Sequence, residues 1–308
     1  MNFVYFGTAD FAVPPLRAIA EHVCLVVSQP DRPSGRGHKL QPSPVKAAAL
    51  ALGLPVLTPE KCREPEFIDH VASLNPDALI VAAYGQIMPT RLFDTARHGG
   101  INLHGSILPK YRGAAPIQRA IMDGEAETGV TLMQMDKGMD TGDMIDLVRT
   151  PIGPDETYGE LAQRLSLLAA EQLSSWAARL ASGDYPREPQ DHELATHAAK
   201  IDRSESYLSV LRPVEEEYCR FRGVTPAPGA LLPSQWGDLK IRAARLSPLA
   251  VPVGEFLVQQ GLFVGFEGGA MEFVTLQEPG GKPLSGQDFA NGHRIITGTK
   301  LAPVEERS

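Results

Sequence analysis

Apolar positions between Met1 and Gly183 follow two alternating rhythms. Phe3 to Phe6 is a short apolar run that reads as a buried strand, and Gly7-Thr8-Ala9-Asp10 reads as the turn after it. Phe11 to Glu21 carries apolar residues at helical spacing, and Val23 to Val27 is a second run rich in β-branched residues. Pro44 to Leu52 reads as a helix, with proline in its first turn and Gly53 just past its end. Pro65 to Leu74 is another, stopped by Asn75-Pro76. Ala78 to Ala83 is continuously apolar, as expected of a parallel strand covered on both faces, and Tyr84-Gly85 ends it. Ile101 to His104 alternates, Pro116 to Met122 is a short helix, and Val130 to Met135 and Met144 to Val148 read as strands around a Gly/Asp loop. A capping box, Thr157 with Glu160, opens a long helix that runs to about Leu180. Alternating strands and helices imply an open, mostly parallel α/β sheet, whose ligands bind outside the carboxyl ends of the strands.

After Gly183 the rhythm changes. Asp184 to Ser206 is polar, holds Pro186 and Pro189, and reads as a linker. From 207 to about 300 the pattern reads as a small β-barrel-like domain, within a C-terminal domain bounded as 207–308. Leu239 to Ala243 alternates with period two, and Phe256–Val258, Leu262–Phe266 and Met271–Leu276 are short strands punctuated by glycines.

A length of 308 residues allows one large domain or two ordinary ones, the latter matching the change of rhythm. A formal charge of -8 repels nucleic acid in bulk, so any RNA contact requires a local basic patch. Cys24, Cys62 and Cys219 are scattered, which argues against a disulfide framework and against a cysteine zinc site. The opening Met1-Asn2-Phe3 lacks a basic leader, and no apolar run reaches the ~18 residues of a membrane span. A soluble cytoplasmic protein with no membrane partner is expected, and nothing demands more than a monomer.

Candidate chemistry gathers after the central strands. Asn102 and His104 are two apart on an alternating strand and so share a face. Polar pairs are costly inside a core, which makes a site plausible there. Asp140 lies in Lys137-Gly138-Met139-Asp140-Thr141-Gly142-Asp143, a tight loop between two strands. Alone, Asp140 could serve only its turn, and His104 could be a satisfied core histidine. Together, an amide that donates to a developing oxyanion and a histidine beside a carboxylate suit acyl transfer between two bound substrates. Ser106 lacks a GxSxG elbow. His104 and Asp140 would supply only two metal ligands, so no metal is expected.

The blocks Asn102 to Pro109, Arg112 to Gln118 and Asp136 to Asp143 closely resemble methionyl-tRNA formyltransferases, and Phe6 to Phe11 and Gln29 to Gly37 fit too. Leu276-Gln277 and Ser285 to Asp288 fit more loosely. The resemblance implies a Rossmann-like formyltransferase domain with a parallel-rich sheet, followed by the OB-type barrel. It implies 10-formyltetrahydrofolate as donor and the α-amine of initiator methionyl-tRNA as acceptor. Asn102, His104 and Asp140 match the family's catalytic positions. Ser106, Ile107, Leu108 and Pro109 match its folate-binding segment, with Ile107 where leucine is usual, a swap that keeps volume. The long connection from Gln29 to Ala47 carries Arg32, Arg36, His38, Lys39 and Lys46 against the single acid Asp31. The family uses this insertion on the acceptor arm, which makes Arg36 and Lys39 the expected tRNA contacts; a solvated loop is the bland alternative. Near the start of the second domain the family's tryptophan-bearing segments give way to Ile201-Asp202-Arg203 and Phe221 to Val224, and no tRNA contact is assigned there.

Several residues admit two readings. Tyr84-Gly85 fits a pteridine pocket or a strand-end turn. Lys110 and Arg112 fit a folate tail, an RNA phosphate or solvated charges. Met133 and Met135 read as core, and Glu215-Glu216-Glu217 as a solvated helix face. Rival functions are a folate-linked transferase acting on a small amine and a hydrolase releasing formate. A dinucleotide oxidoreductase is disfavoured because Gly7 to Phe11 lacks GxGxxG, and a pure RNA-binding module would leave Asn102, His104 and Asp140 unexplained.

Overall fold

Residues 1–34 and 39–301 are described by the computed structural model, with Ser34 and Lys39 described by backbone alone. Two compact units divide them: residues 1–116, 127–151 and 162–199 form the first, and residues 117–126, 152–161 and those from 200 onward form the second.

The first unit holds β1 (Phe3–Gly7), β2 (Val23–Val27), β3 (Arg32–Ser34), β4 (Lys39–Gln41), β5 (Val56–Leu57), β6 (Ala78–Ala82), β7 (Gly100–His104), β8 (Arg112–Gly113), β9 (Glu127–Gln134), β10 (Met144–Pro151) and β11 (His197–Ala198). Seven of these make one sheet in the order β10-β9-β7-β6-β1-β2-β5. From β5 to β7 the pairing is parallel, whereas β9 and β10 are antiparallel additions. β1 and β6 are buried along their whole lengths, as uninterrupted apolar runs predict for central strands. The chain runs outward from β1 to β2 and β5, then crosses back to β6 on the other side of β1. That reversal opens a crevice at the carboxyl ends of the strands, where such sheets bind ligands.

The expected helix over Phe11 to Glu21 is realised only as α1 (Val13–Ala18), because Pro14 and Pro15 can occupy only its first turn. α2 (Pro44–Ala51) begins where its proline and the Ser43 cap predict, with Ser43 Oγ accepting from the Lys46 amide at 3.0 Å. α3 (Pro65–Ser73), α4 (Thr90–Phe93) and α5 (Pro116–Met122) follow, and α6 (Tyr158–Ser182) opens on the Thr157–Glu160 box.

The second unit holds α7 (Val214–Val224), β12 (Ala230–Ser234), β13 (Gly237–Ser247), β14 (Phe256–Val258), β15 (Leu262–Phe266), β16 (Gly269–Gln277), β17 (Leu284–Ser285) and α8 (Gly286–His293). Its antiparallel sheet runs β12-β13-β16-β15-β14, with β17 on β16. Inward residues such as Leu239, Ile241, Val264, Phe266 and Phe273 form its core. One expectation fails here: Glu217 is not on a solvated face. It is fully buried, accepting from the Ser209 amide at 2.8 Å and from Arg220 Nε at 3.0 Å. A buried carboxylate needs such partners, and the basic residues that supply them could not be told from surface charges by their spacing.

Candidate active site

β7 places Asn102 and His104 on one face, as its alternation requires, and the loop between β9 and β10 carries Asp140 onto that face. Asn102 Nδ2 donates to Asp140 Oδ1 at 3.3 Å, and His104 Nδ1 lies 3.5 Å from Asp140 Oδ2. The backbone amide of Gly113 donates to the same Oδ2 at 2.9 Å. His104 is 5% exposed, and its Nε2 is 2.9 Å from the Tyr111 carbonyl. Both ring nitrogens therefore face acceptors, so a ring with one proton can satisfy only one of them. Asn102 is only half-buried, and it is the member of the cluster on β7 that reaches the surface.

Two aspartates in the β9–β10 loop divide the labour that sequence alone leaves open. Asp136 serves the turn: its carboxylate accepts from the Gly138 amide at 2.8 Å and from Thr141 Oγ1 at 2.7 Å. Asp140 instead turns its carboxylate to β7. It adopts φ +54°, a left-handed conformation that costs a non-glycine residue roughly 1–2 kcal/mol and persists only where surroundings enforce it. Gly142 is one enforcer, since a Cβ there would sit 2.0 Å from the Gln134 carbonyl.

The segment Ser106 to Pro109 leaves β7 directly beside this cluster and is pinned from below by Thr131. Thr131 Oγ1 donates to the Ser106 carbonyl at 2.6 Å and accepts from the Leu108 amide at 3.2 Å. Ser106 Oγ donates to the Lys110 carbonyl at 2.7 Å, so its hydroxyl shapes the loop rather than acting as a nucleophile. Leu108-Pro109 is a cis peptide, and Ile107 is half-buried.

Side-chain placement bears on two of the ambiguous readings. The Tyr84 ring is buried edge-on against Phe6 at 5.3 Å, and burial beside Cys62 pushes its phenol above the usual range. Its carbonyl accepts from Thr8 Oγ1 at 2.7 Å and Gln29 Nε2 at 2.9 Å, which is strand-end architecture. Arg112 is committed internally: its Nη2 donates to Gln190 Oε1 at 2.6 Å and lies 3.0 Å from His192 Nδ1.

The basic insertion is a hairpin of β3 and β4 at its base. Lys46 pairs with Asp31 at 2.8 Å, so the insertion's only acid is neutralised from within. Arg36 lies outside the described residues, and Lys39 is placed by backbone, at the start of β4. Beside the hairpin, a cavity of about 550 Å³ is lined by Arg32, Lys61, Arg63 and Gln86 among others. Among the described residues, no cluster of three or more His, Cys, Asp or Glu could hold a metal, and no helix is long and apolar enough to cross a membrane. The three cysteines are free thiols.

What the sequence reading missed is the role of 184–199 as a strap. Glu188 and Met144 exchange backbone hydrogen bonds at 2.8 and 2.9 Å, and β11 pairs in parallel with β8. The first unit thus absorbs most of the segment read as a linker. Its polar composition gave no cue, because its bonds are made to backbone far away in sequence. Thr131 was also missed, since a threonine between Val130 and Leu132 reads as an ordinary strand residue.

Comparison with known proteins decides the family. The formyl transferase profile matches residues 11–176, and that of the formyl transferase C-terminal domain matches residues 200–294. The chain belongs to the formyl transferase family. Among curated relatives, it is 43% identical to a methionyl-tRNA formyltransferase of Symbiobacterium thermophilum over 99% of this chain and 96% of the relative. It is 44% identical to that of Sorangium cellulosum over 98% of this chain and 99% of the relative. Among solved structures, an N-formyltransferase of Helicobacter canadensis, in complex with folinic acid and dTDP-3-aminofucose, superposes with TM-score 0.64 at 18% identity, covering 89% of this chain and 98% of that one. At that identity the likeness speaks for the formyl transferase fold alone.

Proposed function

We propose that this formyltransferase moves the formyl group of 10-formyltetrahydrofolate to the α-amine of initiator methionyl-tRNA, giving N-formylmethionyl-tRNA. The observation that carries the reading is the Asn102–His104–Asp140 cluster at the end of β7, in a chain 43% identical to a methionyl-tRNA formyltransferase over 99% of its length.

In the reaction a bond forms between the amine nitrogen and the formyl carbon. The bond from that carbon to the folate nitrogen then breaks, and the proton lost by the amine ends on that nitrogen. Asn102, half-buried and with a second amide N–H beyond the one given to Asp140, donates to the oxyanion that develops on the formyl oxygen. His104 contributes by exchanging its Tyr111 carbonyl partner for the same oxygen. Asp140 orients His104 and assists a water in carrying the proton. Ser106 to Pro109, pinned by Thr131, forms a wall of the folate site. An oxyanion donor of this kind contributes ~2.7–4 kcal/mol, and acid–base assistance roughly 10²–10⁴-fold.

The acceptor tRNA is engaged by the β3–β4 insertion through Arg36 and Lys39, and by the C-terminal domain read as 207–308. The enzyme acts as a cytoplasmic monomer. Phosphate contacts make binding salt-dependent, so tRNA affinity falls as salt rises; an affinity indifferent to salt removes the insertion from the reading. The test is formyl transfer to initiator methionyl-tRNA, run beside elongator methionyl-tRNA, an amino-sugar nucleotide and a folate-only blank. Transfer to the initiator alone is expected. Formate release without tRNA, or transfer to the sugar alone, overturns the assignment.

A further inference from the structure

Gln190 sits in the strap between the two places where it is stitched to the first unit. It is 5% exposed and carries no charge. Its Nε2 donates to the carbonyl of Asp140 at 2.9 Å and to that of Gly142 at 2.7 Å. Its Oε1 accepts from Arg112 Nε at 3.0 Å and Nη2 at 2.6 Å. Both donors and both acceptor positions are used, and the partners fix the amide's orientation, since a flipped amide would set oxygen against two carbonyls and N–H against a guanidinium. Gly113, next to Arg112, gives its amide to the Asp140 carboxylate. Gln190 therefore grips Asp140 twice: at its own carbonyl, and through the strand that supplies its carboxylate's backbone partner.

We propose that Gln190 is a positioning residue for the reaction, holding Asp140 in its left-handed conformation so that the carboxylate meets Asn102 and His104. Asp140 is not held by its own turn, because the turn's side-chain bonds belong to Asp136 and Thr141. Beside the close approach at Gly142, a second restraint comes from a residue distant in sequence: Gln190 bonds to the loop at two backbone points. The proposal rests on the reading of Asp140 as part of the reacting centre.

The test is Gln190→Glu in the full-length enzyme. Glutamate can still accept from Arg112 but cannot donate to the two carbonyls. A displacement of the carboxylate by ~1 Å costs on the order of 10²-fold in rate. The expected result is a fall of that size in kcat, with KM for 10-formyltetrahydrofolate and for methionyl-tRNA within about threefold of wild type. The ring proton and nitrogen resonances of His104, read in histidine-labelled protein and assigned with His104→Gln, should shift with it. Gln190→Met, of similar length and uncharged, is measured alongside and replaces the glutamate variant if that one does not fold. A purely structural role predicts a lower Tm with wild-type kcat per folded molecule and an unmoved His104 signal, and that result overturns the proposal. Asp140→Asn is the control that separates the two levels. If it keeps full turnover, the reading of the centre fails; if it is inactive while the folded Gln190 variants are wild type, only the role of Gln190 fails.

Discussion

Thr131→Val isolates the support beneath Ser106–Pro109, the segment proposed to bind folate. Thr131 is fully buried on β9, and valine reproduces its shape without the hydroxyl. The change strands the Leu108 amide and the Ser106 carbonyl, whose bonds to Oγ1 measure 3.2 and 2.6 Å. A buried donor left unpaired costs roughly 1–3 kcal/mol, and a carbonyl with its second lone pair falls toward the lower end. The sum is about 2–4 kcal/mol, which for a unit of this size lowers Tm by roughly 4–16 °C. Because both stranded groups belong to Ser106–Pro109, the functional loss should fall on the donor: KM for 10-formyltetrahydrofolate rises while KM for methionyl-tRNA holds. Calorimetry and initial rates over a folate series measure both. Thr131→Ser keeps the hydroxyl, sheds one methyl, and should recover the folate KM. Wild-type Tm together with wild-type folate KM in the valine variant would refute the role given to Thr131.

Asn102→Ala removes the half-buried amide proposed as oxyanion donor and should lower turnover by roughly 10²–10³-fold with little change in either KM; a pure, folded sample with wild-type turnover ends that assignment. Gly142→Ala drives a Cβ to 2.0 Å from the Gln134 carbonyl and must displace the Asp140 loop, so kcat should fall on the order of 10²-fold while far-ultraviolet circular dichroism is unchanged. In the second unit, the Arg119 guanidinium bonded to Glu205 holds that carboxyl below its ordinary value of 4.5. A lowered carboxylate stabilises the folded state above its ordinary value, and that contribution is lost as pH falls through the depressed one. Denaturant midpoints followed from about pH 6 to about pH 3 should drop less steeply in Glu205→Gln than in wild type, and identical slopes would contradict the pairing.

β1, β2 and β6 were legible because each is a short apolar run, as at Phe3–Gly7 and Ala78–Ala82, whereas the two-residue parallel strand β5 was too short to be read. Asn102 and His104 were legible because the period of a strand dictates which side chains share a face. Asp140 was harder: Asp136 in the same loop has the same chemistry, and only the fold tells the turn-former from the residue facing β7. Gln190 and the strap were illegible. Their partners are main-chain carbonyls and amides, which every residue owns, so the linking sequence carries no pattern complementary to them. Glu217 shows the same limit in the second unit, since an acidic triplet at a helix start reads as solvated until tertiary contacts bury one member.

The strap also sets an order of events on the ribosome. Asn102, His104, Asp140 and the whole of α6 have been synthesised by Ser182, and the N-terminal family profile ends earlier still, at residue 176. Yet the bonds from Gln190 to the Asp140 loop and the pairing of β11 with β8 require the chain to reach Ala198. A nascent chain paused after α6 would carry Asn102, His104 and Asp140 without the strap's bonds to the Asp140 loop. The same holds for a fragment cut at Gly183, whereas one carried through Ala199 would include the whole clasp.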